Sequence, residues 1–70
     1  MSWSILKNEG DTWRGITKLD SKKAAMEYVE KHICKPLNMR ERANGEVWIT
    51  DDMNTKTLSN YKVMIYEARP

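Results

Sequence analysis

Seventy residues allow one domain, 1–70, and the 12 Lys+Arg against 10 Asp+Glu leave a net charge of +2. With 40% hydrophobic and 31% charged residues the chain is globular rather than disordered, and its charges alternate in sign (Lys22, Lys23, Glu27, Glu30, Lys31) instead of forming the basic cluster of a dedicated DNA-binding domain. A single cysteine excludes an intramolecular disulfide framework and a cysteine-rich zinc site; with no basic-then-apolar leader and no apolar run of membrane-spanning length, the expectation is a soluble, cytoplasmic chain.

Trp3 to Lys7 reads as a first strand, closed by the turn cluster Asn8-Glu9-Gly10-Asp11. Thr12 to Leu19 reads as a second strand, interrupted by Gly15. Asp20 or Ser21 can cap a helix of about fourteen residues whose apolar face carries Ala25, Tyr28, Val29, His32 and Ile33. Pro36 stops it near Cys34 or Lys35. Leu37 to Arg42 and Glu46 to Thr50 form a hairpin around Ala43-Asn44-Gly45. A two-residue turn would set Arg42 beside Val47 and Arg40 beside Ile49. A three-residue loop with Gly45 in the left-handed position sets Met39 with Ile49, Glu41 with Val47, Arg40 with Trp48 and Arg42 with Glu46. The second register separates apolar from polar residues, offers one cation–π and one charge pair, and is the one expected. Asp51 to Asn60 is a polar loop, and Tyr61 to Glu67 the last strand.

The fold class is therefore α+β in ββαβββ order, with one helix packed on one face of a mostly antiparallel sheet. Leu37, Met39, Val47, Ile49, Tyr61, Val63 and Ile65 are expected to face the helix. The opposite face is left open or covered by a partner, because one helix cannot cover five strands. It should carry Trp48, Tyr66, Met64, Arg40, Arg42 and Lys62. Trp, Tyr and Arg are enriched at binding hot spots and Met adapts to irregular partners, so this face is the candidate partner-binding surface. An alternative is that Trp48 and Met64 pack under a loop or the N-terminal strands. An aromatic-plus-basic face can also bind nucleic acid, with Arg14, Lys18, Arg40, Arg42 and Lys62 on the phosphates. A third reading is a homodimer in which open faces or edge strands pair. Trp13 is placed in the core because Leu19 shares its parity. Trp3 either closes the core edge or stands exposed.

Chemistry is sparse. His32, on the apolar helix face, reads as a core-edge histidine, and Cys34, two residues on, cannot join it on a metal. Asp51, Asp52 and Asn54 lack the glycine and distant glutamate of a calcium loop. Glu41 and Glu46 fall on opposite faces. No phosphate-binding loop, nucleophile elbow or metal spacing is present. The expectation is a non-enzymatic protein-binding module, an inhibitor or regulator, with no metal and no cofactor. In size and lack of chemistry the chain resembles the small accessory proteins of phages and other mobile elements, which implies binding and blocking of one host protein.

Overall fold

The computed structural model describes residues 2–68. Its strands are β1 (Ser2–Asn8), β2 (Trp13–Leu19), β3 (Asn38–Glu41), β4 (Val47–Thr50) and β5 (Val63–Ala68), with one helix, α1 (Lys22–His32), between β2 and β3. A short 3₁₀ turn, Leu58–Asn60, precedes β5. The strands form one antiparallel sheet in the order β2-β1-β5-β4-β3. The α+β class and the element order match the expectation. Among the described residues no helix is long and apolar enough to cross a membrane.

Local chemistry explains the joints. The β1–β2 turn needs Gly10, at φ +93°, and the Asn8 side chain accepts the Gly10 N–H at 2.8 Å. Ser21 caps α1 by accepting the Ala24 N–H at 3.1 Å. The helix is eleven residues long, shorter than expected, because Ile33 already leaves helical geometry (φ −123°). The N–H groups of Ile33 and Cys34 both donate back to the Val29 carbonyl, and Pro36 follows. The β3–β4 hairpin has the expected three-residue register: Met39 faces Ile49, Arg40 faces Trp48 and Glu41 faces Val47. Gly45 takes φ +93° where a side chain would be strained.

The core lies between α1 and one sheet face. Ile5, Ile65 and Val47 stand side by side across β1, β5 and β4, next to Val63 and Ile49, and all five are buried against Ala25 and Val29. Each such aliphatic side chain contributes roughly 1.5–3 kcal/mol by leaving water. Trp3, Ile16, Leu19, Met26, Tyr28 and Ile33 close the margin.

Five expected placements are corrected. Leu37 and Met39 were expected in the core but are each 53% exposed. The helix packs on β1, β2 and β5, and its ~10–12 Å width cannot reach two strands further at ~4.8 Å spacing. Trp13 does not share the core with Leu19. Along β1, Ile5 faces Thr17 while the next residue, Leu6, faces Gly15, so Ile16 is the extra residue of a β-bulge and parity shifts by one. Tyr61 does not face the helix either. Ile49 is the register partner of Val63, yet its carbonyl accepts the Lys62 N–H at 3.1 Å. Two residues oppose one, and the side chains ahead of that irregularity change sides. His32, finally, is exposed and leans on Tyr28, ring centroids 4.6 Å apart, while Val29 is the residue of that turn that enters the core.

Candidate functional site

The sheet face away from α1 is largely filled from within. The Trp48 ring lies edge-on to Trp13 at 5.0 Å and to Tyr61 at 6.4 Å. The two irregularities in β2 and before β5 turn those partners toward it. Tyr61 is buried, and its hydroxyl donates to Asn38 Oδ1 at 3.1 Å. Trp48 Nε1 donates to Glu46 Oε1 at 3.3 Å. Met64, the register partner of Trp48, keeps 9% of its surface. Trp48 and Met64 therefore act first as packing residues, the alternative left open by the sequence. The Glu46 carboxylate serves Trp48, while Arg42 meets Glu46 through its backbone N–H at 2.8 Å.

The basic residues do not converge. Arg14 is paired with Glu9 at 2.7 Å and Lys62 with Asp51 at 2.7 Å. Lys62, expected on the open face, is thus held by Asp51, and its charge opposes the rise of the Cys34 thiol pKa. Lys18 lies on β2, whereas Arg40 and Arg42 lie at the opposite edge, on and just beyond β3. Beside Lys18 a shallow hollow of about 350 Å³, lined also by Ser4, Leu6, Gly15 and Tyr66, opens where Gly15 lacks a side chain. Ser4 Oγ is buried there without a hydrogen-bond partner among the described residues.

The most exposed apolar surface gathers around β3. Leu37 and Met39 flank Asn38, whose Nδ2 donates to the carbonyls of Asp52 and Thr55, both at 3.0 Å. Those bonds hold the loop carrying Met53, 66% exposed, next to the same edge. Arg40 and Arg42 are exposed on the other side of the strand, and Glu41 is held by Lys22 at 2.6 Å. That contact keeps the Glu41 carboxyl below its usual range. Sequence reasoning missed this edge because it assigned Leu37 and Met39 to the helix by parity. Parity gives the face correctly and says nothing of whether the helix extends that far.

Burial, then the Asp51 charge, pushes the Cys34 thiol up, and Lys62 opposes them. The Asp52 carboxyl is held low by the Asn54 N–H and by Thr55. Among the described residues no three His, Cys, Asp or Glu side chains are grouped to hold a metal ion. Compared with protein-family models, curated proteins and solved structures, the chain matches none.

Proposed function

We propose that this chain is a non-enzymatic protein-binding module, an inhibitor or regulator that acts by occupying a protein partner. The contact surface in this proposal is the β3 edge. Leu37 and Met39 are the apolar anchors, and Arg40 and Arg42 set orientation and charge complementarity. The supporting observation is that the large exposed apolar side chains, Leu37, Met39 and Met53, collect at one margin of an otherwise well-covered domain. Tyr66, half-buried on β5, and Trp48 belong to the face behind that edge.

The test is a pull-down from host lysate with the wild-type chain, a Leu37→Ser/Met39→Ser variant and a Trp48→Ala/Tyr66→Ala variant, each checked by circular dichroism and run with and without nuclease. A nuclease-resistant protein lost only in the Leu37/Met39 variant supports the β3 edge. Retention by that folded variant places the contact elsewhere. Capture that disappears on nuclease treatment replaces the proposal with nucleic-acid binding.

A further inference from the structure

We infer that the β3 edge takes up an extended segment of its partner as a sixth, antiparallel strand, and that this segment alternates acidic with apolar or neutral side chains. The inference rests on the protein-binding reading above and specifies the partner's chemistry.

Hydrogen-bond phase is the first argument. The Arg42 N–H donates to the Glu46 carbonyl at 2.8 Å, so Arg42 and Glu46 form a hydrogen-bonded pair of the hairpin. Such pairs alternate, so Arg40 and Asn38 also turn their backbone groups toward β4. Met39 and Glu41 then turn theirs outward, away from the sheet. The Leu37 N–H is already engaged by the Lys35 carbonyl at 2.9 Å. The free edge thus offers the N–H and C=O of Met39 and Glu41, two full pairs of ladder bonds for an added strand.

Side-chain chemistry sets what that strand must carry. Leu37, Met39 and Glu41 share one face, Arg40 and Arg42 the other. The residue opposite Arg40 sits in a non-hydrogen-bonded pair, where side chains approach closest, and an acidic residue fits there. A second acidic residue fits opposite Arg42. Apolar residues fit opposite Met39 and Leu37, and a neutral one opposite Glu41, whose charge Lys22 already answers. Read antiparallel, the complementary hexapeptide is Glu-Thr-Glu-Val-Thr-Val.

The other occupants fit less well. A second copy that used both outward-facing residues would set Met39 opposite Glu41 and so Arg40 directly opposite Arg40, like charges in the pair where side chains approach closest. The opposite edge, β2, is broken by the bulge at Ile16, which interrupts the regular ladder an added strand would need.

The experiment is an NMR titration of the full chain with blocked Glu-Thr-Glu-Val-Thr-Val and with its Lys-Thr-Lys-Val-Thr-Val counterpart. The acidic peptide should shift the amides of Met39 and Glu41, slow their hydrogen exchange, and bind about tenfold more tightly than the basic one. Arg40→Glu/Arg42→Glu should reverse that preference, and the gain of binding to the basic peptide certifies that the variant folds. Equal response to both peptides, shifts confined to other strands, or no response up to about 5 mM would overturn strand addition. A mass of twice 8.2 kDa with Met39 and Glu41 already protected would also overturn it, in favour of a second copy. If the peptides fail while the Leu37→Ser/Met39→Ser variant still loses its captured protein, strand addition is wrong and the β3 edge stands.

Discussion

Trp13 and Trp48 meet edge-to-face, their ring centroids 5.0 Å apart and their planes at 84°. They come from β2 and β4, strands with β1 and β5 between them. The contact therefore draws the two halves of the sheet together on the side that α1 does not cover. With Tyr61 it makes a second, aromatic layer of packing.

Trp48→Ala should for that reason cost about 3 kcal/mol of stability, as other large-to-small changes in packed sites do. Trp13→Ala should cost less, and the double-mutant cycle should return a coupling of about 0.5–1.5 kcal/mol. Urea unfolding followed by circular dichroism measures both. Additive losses would mean that the rings do not support each other.

Gly45→Ala should destabilise by about 1–2 kcal/mol, since an L side chain at φ +93° is strained even where the space around it is open. The same urea series reads it. A neutral result would show that the hairpin can take another turn, and with it another register.

Ser4→Ala should be neutral or stabilising. Its hydroxyl is buried with no hydrogen-bond partner among the described residues, and a donor in that state opposes folding by about 1–3 kcal/mol. A loss above about 1 kcal/mol in thermal unfolding would show that the hydroxyl is satisfied after all.

The Cys34 thiol should react slowly with a disulfide reagent at pH 8, because burial and then Asp51 raise its pKa above the ordinary value of 9.0. Asp51→Asn removes one raising charge and frees Lys62, which lowers the thiol pKa, so the reaction should accelerate. Lys62→Ala should slow it. The raised pKa also carries a stability consequence. The folded state holds the proton more tightly than the unfolded one, so this contribution is complete below pH 9.0 and declines as pH rises through the folded value. Equal rates in all three proteins would remove Asp51 and Lys62 from the thiol's surroundings.

Much of this architecture is legible in the residues themselves. Ser21 marks the helix start, Pro36 bounds its end, and Asn44-Gly45 with the parity of Met39, Glu41, Val47 and Ile49 specifies the hairpin register. These signals are local, and local backbone chemistry answers them within a few residues. Tertiary structure decided what local chemistry cannot. Strand period is a count, and one extra residue at Ile16, or two residues opposing Ile49, turns Trp13 and Tyr61 to the far side. Strand order placed β3 at the margin, beyond the width of one helix, and so left Leu37 and Met39 in solvent. The sequence determined which residues are apolar and which face of β3 they occupy. Only the assembled sheet decided that the cover stops before it reaches them, because the reach of a helix is a property of where it lies and not of its own residues.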